Sequence, residues 1–160
     1  MVKQILTYPE NKEILTSKSV VVENIEDVKD LIQDLKDTLH STKSGCGISA
    51  VQIGELKRVC IISHNGQDTV MINPVITRRR PEKVFFREGC LSAPNVYNII
   101  ERDKKVWVEY LDENGNKKIA DQGGLFSIIV QHELDHFEGW CEVFNQLKEE
   151  EEKVGENQCE

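Results

Sequence analysis

A chain of 160 residues with 39% hydrophobic and 30% charged side chains suits one packed domain and is too apolar for a disordered one. Its formal net charge of -8 argues against a general nucleic-acid surface, which needs a positive footprint. No apolar run is long enough to cross a bilayer, and Met-Val-Lys-Gln-Ile-Leu-Thr-Tyr-Pro lacks the apolar core of a secretory signal.

The stretch up to Val22 mixes apolar and polar residues and reads as extended chain over the surface. Asn24 then caps a helix in which Ile25, Val28, Leu31, Ile32, Leu35 and Leu39 recur at helical spacing. Glu26, Asp27 and Asp30 place negative charge near its positive end. Gly45-Cys46-Gly47 breaks the pattern, and Gly54 closes the short segment after it. Residues 58–63 and 69–76 are rich in Val and Ile and read as strands joined by a turn at Asn65-Gly66. The basic cluster Arg78-Arg79-Arg80, with Pro81 behind it, reads as a solvated loop, and residues 83–86 as another strand. Val106, Val108 and Tyr110 alternate with Trp107 and Glu109, a half-buried strand. Asn114-Gly115 turns the chain, and residues 117–120 return antiparallel. After Gly123-Gly124, Leu125, Ile128, Ile129, His132 and His136 keep a helical period as far as Phe137. Residues 148–160 are acidic and polar, and fray or form a short solvated helix end.

The late helix carries His132-Glu133-Leu134-Asp135-His136, an HExxH motif. A spacing of four puts both imidazoles on one face, one turn apart, so both can bind one metal ion. Glu133 lies about 100° round the helix from His132 and reaches a metal-bound water without taking a coordination position. Histidines at this spacing also occur as plain core or surface residues, but the intervening glutamate and the helical context favour the metal. The extended form with a third histidine is absent. The third ligand comes from upstream, with Glu142 and Glu149 as the downstream alternatives. The expected architecture is α+β: antiparallel sheets packed around a central metal-binding HExxH helix, with one further helix near the N-terminus. Residues 1–147 form the catalytic domain and 148–160 an acidic tail.

Three segments resemble the signature motifs of peptide deformylases, in that family's order and approximate spacing: Gly45-Cys46-Gly47-Ile48-Ser49-Ala50-Val51-Gln52-Ile53-Gly54, Glu88-Gly89-Cys90-Leu91-Ser92 and Gln131-His132-Glu133-Leu134-Asp135-His136. The resemblance runs from Leu6-Thr7-Tyr8-Pro9 to Gly139. It implies that Cys90, His132 and His136 hold one divalent metal ion, Fe(II) in vivo, with Ni(II), Co(II) or Zn(II) able to substitute. It also implies that the substrates are N-formylmethionyl peptides and nascent chains, which lose formate. Hydroxide on the metal would attack the formyl carbon, and Glu133 would take its proton and return it to the departing amine. The Gln52 amide and the Leu91 backbone N–H would form the oxyanion hole. The methionine side chain would lie near Cys46, Phe86, Glu88, Leu125, Ile128, Ile129 and His132. Gly45, Gly47 and Gly89 would let a peptide lie beside a strand edge.

The five cysteines have irregular spacing and no CxxC pair, which points to a reducing compartment; Cys60, Cys141 and Cys159 read as small buried hydrophobes. Departures from the family are Ser49-Ala50-Val51 before Gln52, Cys46 at an aliphatic position, and a loose match over residues 140–147. The family's longer basic C-terminal helix is missing, and Glu149-Glu150-Glu151-Glu152 would be repelled by ribosomal RNA, so ribosome docking by that route is not expected. A cytoplasmic monomer with no direct nucleic-acid or membrane contact is the expectation, organellar and viral origins staying open. Two rival readings are a protease of internal peptide bonds and a binding protein that has lost its chemistry. Cys90 argues against the first, and intact Gln52, Cys90, Glu133 and both histidines against the second.

Overall fold

The entering chain is not wholly extended. In the computed structural model of the protein, which describes residues 1–158, a four-residue helix α1 (Lys12–Leu15) buries Leu15 beside Tyr8. Cys159 and the last residue of the acidic tail lie outside the described residues. The helix expected after Asn24 forms in two pieces. A 3-10 turn (Ile25–Val28) comes first, with Asn24 Oδ1 accepting from the Glu26 N–H at 3.1 Å, and α2 (Lys29–Ser41) continues it. Ile32, Leu35 and Leu39 are buried, as the helical spacing requires.

Among the described residues seven strands make two antiparallel sheets. The larger follows the order β1 (Gly47–Ser49), β2 (Val59–His64), β3 (Gln67–Arg79), β6 (Val106–Leu111), β7 (Lys117–Ala120). The smaller is a ribbon of β4 (Lys83–Cys90) and β5 (Ala93–Asp103). Strand β3 outruns the expected segment. Arg78 and Arg79 therefore belong to a strand and not a loop, with the Arg78 guanidinium 4.5 Å from the Trp107 ring centroid. At the bulge in β3, Asn73 takes φ 50° and clips the N-terminal segment to the sheet. Its Oδ1 accepts from the Val22 N–H and its Nδ2 donates to the Val22 carbonyl, both at 2.8 Å.

Between the sheets runs α3 (Leu125–Phe137), with ten of its thirteen residues buried. A helix buried nearly all round must satisfy its polar side chains internally. Ser127 Oγ accepts from the Val106 N–H at 2.8 Å; the Gln131 amide accepts from the Asp103 N–H and donates to the Asp103 carbonyl, each at 2.9 Å. Gly139 then turns the chain back with φ 86°, and a Cβ there would lie 2.5 Å from the Thr16 carbonyl oxygen. The helix count exceeds the single further helix expected. Besides α1, a helix α4 (Phe144–Gln158) crosses residue 147 and carries the acidic segment. Its first turn is anchored by Phe144, stacked 4.6 Å from Tyr8, while residues 148–155 are exposed. Among the described residues no helix is long and apolar enough to cross a membrane.

Candidate metal centre

Strand β4 delivers Cys90 to the corner of the ribbon, where the register with β5 shifts between Gly89 and Cys90. Helix α3 brings His132 and His136 to the same point. Cys90 Sγ lies 3.5 Å from His136 Nε2. The ring of His132 is oriented from behind: its Nδ1 faces the Glu88 carboxylate at 2.8 Å and donates to it, which turns Nε2 toward the cluster. Glu88 is in turn clasped by Arg102 through Nε–Oε2 at 2.8 Å and Nη2–Oε1 at 2.9 Å, and Arg102 reaches on to Asp135 at 2.5 Å. Burial alone would raise the Glu88 pKa; the hydrogen bonds from Arg102 and His132 outweigh it and hold the carboxyl below its usual range. Burial likewise opposes charge on Arg102, but Glu88 and Asp135 more than offset it and raise its pKa. For His132, burial is outweighed by the hydrogen bonds to Cys141 and Glu88, and the pKa is raised.

Glu133 is 3% exposed, with Ser49 Oγ 2.9 Å from both its backbone oxygen and its Oε2. On the other side stands Gly47, where an added Cβ would lie 2.7 Å from Glu133 Oε1. Gln52 sits in a 3-10 turn (Ala50–Ile53) that follows β1. Its Oε1 accepts from the Ser49 N–H at 2.9 Å, which fixes the amide so that Nε2 donates toward Ser92 Oγ at 3.1 Å and lies 3.7 Å from Cys90 Sγ. A cavity of about 460 Å³ opens beside these groups. Cys46, Gly47, Gln52, Phe86, Glu88, Gly89, Cys90, Leu91, Leu125, Ile128, Ile129, His132 and Glu133 all line it. His136 is fully buried behind them. Glu88 borders the cavity, yet its carboxylate is occupied by Arg102 and His132.

One donor escaped the sequence reading. Cys141, read as a small buried hydrophobe, is buried, but its sulfur joins the cluster: the ligand atoms of Cys90, His132, His136 and Cys141 all lie within 4.8 Å of one another. The contact with Cys90 and burial together push its pKa up to about 12. Arg102 went unnoticed, and Asp135, Ser49 and Ser92, though they stand within the motifs, were given no role; strand pairing and helix docking bring these side chains to the site. Nitrogen and sulfur donors this close fit a divalent transition-metal ion, and His136 Nδ1 is buried with no hydrogen-bond partner among the described residues.

Known proteins resemble this chain in sequence and in fold. A family profile described as polypeptide deformylase matches residues 2–153. Peptide deformylase 2 of Clostridium acetobutylicum is 41% identical over 129 residues, covering 79% of this chain and 85% of that protein. The peptide deformylase of Finegoldia magna is 39% identical over 151 residues, covering 91% and 93%. The crystal structure of a peptide deformylase from Legionella pneumophila superposes with a TM-score of 0.85 at 30% identity, over 99% of this chain and 98% of that one.

Proposed function

Because the chain belongs to the polypeptide deformylase family, we propose that it removes formyl groups from N-formylmethionyl nascent chains, using one divalent ion held by Cys90, His132 and His136. A single observation carries this reading: a thiol and two imidazoles converge beside Glu133 and Gln52, at the wall of a largely apolar cavity. When bound, the ion supplies Lewis acidity, which lowers the pKa of a water and polarises the formyl oxygen. Fe(II) is the native ion in this reading, and Ni(II), Co(II) or Zn(II) suit the same donors.

The chain's own residues do the rest. Glu133, its Oε2 steadied by Ser49, takes the proton of the attacking water and delivers it to the departing methionine amine. Gly47 leaves room for this beside Oε1. Gln52 Nε2 and the Leu91 N–H donate to the oxygen that gains charge in the tetrahedral intermediate. Phe86, Leu125, Ile128 and Ile129 hold the methionine side chain and exclude water, with Cys46 and Gly89 at the rim. Glu88 acts through His132 as a positioning residue. The catalytic unit is residues 1–147, acting as a monomer in the cytoplasm. The exposed Glu149, Glu150, Glu151 and Glu152 oppose docking on ribosomal RNA.

The test is formate release from a formyl-methionyl tripeptide by protein prepared without oxygen and loaded with Fe(II) or Ni(II). Formate is expected in proportion to peptide consumed, with all peptide bonds intact. Cleaved internal bonds would favour the protease reading, and no formate from folded, loaded protein would contradict the proposal.

A further inference from the structure

Cys141 follows His136 by five residues, in the segment that Gly139 turns back toward the sheet. Tyr8, Leu15, Ile100 and Phe144 pack around it, and it is 1% exposed. Apolar packing alone does not account for where its sulfur points. Cys141 Sγ lies 3.9 Å from His132 Nε2, much as Cys90 Sγ lies 3.5 Å from His136 Nε2. A tetrahedral ion with bonds of about 2.3 Å to sulfur and about 2.05 Å to nitrogen spaces those donors about 3.6 Å apart. Both observed separations fall within about 0.3 Å of that edge. Two edges of such a site are thus met, and all four donor atoms lie within 4.8 Å of one another.

We propose that Cys141 is a fourth protein donor to the metal, reaching it from the buried side, so that two thiolates and two imidazoles hold the ion. This rests on the metal site assigned above. Each thiol that binds releases its proton to solvent. Two thiolates neutralise a divalent ion, where one would leave a net positive charge. The ion is therefore a weaker Lewis acid than in a site with one thiolate, and the soft donor pair favours soft ions. Two sulfurs and two nitrogens are also the donor set of closed structural zinc sites. Hydrolysis then needs a fifth coordination position on the cavity side, where Gln52 and Glu133 stand.

The experiment loads wild type, Cys141→Ser and Cys141→Ala with Co(II) and reads sulfur-to-cobalt charge-transfer absorbance, with affinity from competition against a chelator. Wild type should show two thiolates. Absorbance should fall by about half in both variants, and affinity by at least about tenfold. Unchanged absorbance and affinity in folded variants would overturn the proposal. Should neither variant fold, X-ray absorption at the metal edge of wild type decides: two sulfur neighbours support it and one overturns it. Formate release by wild type is scored separately. Formate with a one-thiolate spectrum overturns Cys141 as donor and leaves the deformylase reading standing. Two thiolates without formate support the donor while contradicting the reaction.

Discussion

Replacing Arg102 with methionine should destabilise the metal-free protein by about 3 kcal/mol, because it leaves the buried Glu88 carboxylate with His132 as its one remaining side-chain partner. The side chains of Arg102 and Glu88 are each 5% exposed and share two hydrogen bonds. Asp135, the other partner of Arg102, is 39% exposed and rehydrates when the guanidinium is lost. Adding Glu88→Leu removes that under-compensated charge. What remains is the lost acceptor of His132 Nδ1, about 1–3 kcal/mol. The double variant should therefore be more stable than Arg102→Met by up to about 2 kcal/mol. Its metal affinity should not recover. Without Glu88 Oε1, 2.8 Å from Nδ1, nothing fixes the His132 ring, and loss of such a partner weakens binding about 10–100-fold. Urea unfolding of chelator-treated protein gives the stabilities, compared at equal m, and chelator competition gives the affinities. A double variant no more stable than Arg102→Met, or one that binds metal as wild type does, would refute the reasoning.

Gly47→Ala puts a Cβ 2.7 Å from Glu133 Oε1 and 3.0 Å from Ile129 Cγ2. Displacing the carboxylate should lower kcat about 100-fold with little change in Tm, and wild-type turnover would contradict the position given to Glu133. Asp103 is pushed up by burial, but hydrogen bonds from Lys83 and Arg79 prevail and hold its pKa below the usual range. A depressed folded pKa means stabilisation that is full above about pH 4 and lost as pH falls through the folded value. Asp103→Asn should cost about 1 kcal/mol at neutral pH, since the partners are half exposed, and nothing in strong acid. Urea midpoints across pH check this, and a gap that persists undiminished to the lowest pH would count against it.

Helix α3 was legible residue by residue because its spacing, its glycine start and its length all agree. Strand β5 was not, because Pro94, Asn95 and Asn98 punctuate it and Asn95 takes φ 61°. The length of α4 was hidden for a different reason: its packing is confined to the first turn, and the exposed residues 148–155 carry no apolar stripe. At the site, the two histidines and Glu133 follow from spacing within one helix. Cys90 and Gln52 lie on separate elements, and only their resemblance to family motifs singled them out. Arg102 follows Glu88 by 14 residues and meets it through the β4–β5 pairing, which no local pattern announces. Cys141 was visible as a cysteine just past the motif; the direction of the turn at Gly139 was not.

The most direct test of the account compares formate release by wild type and Glu133→Ala, with metal content measured on the same samples. The account predicts equal metal in both and a turnover lower by about 10²–10⁴-fold in the variant. A variant that keeps its metal and hydrolyses the formyl peptide at the wild-type rate would contradict it.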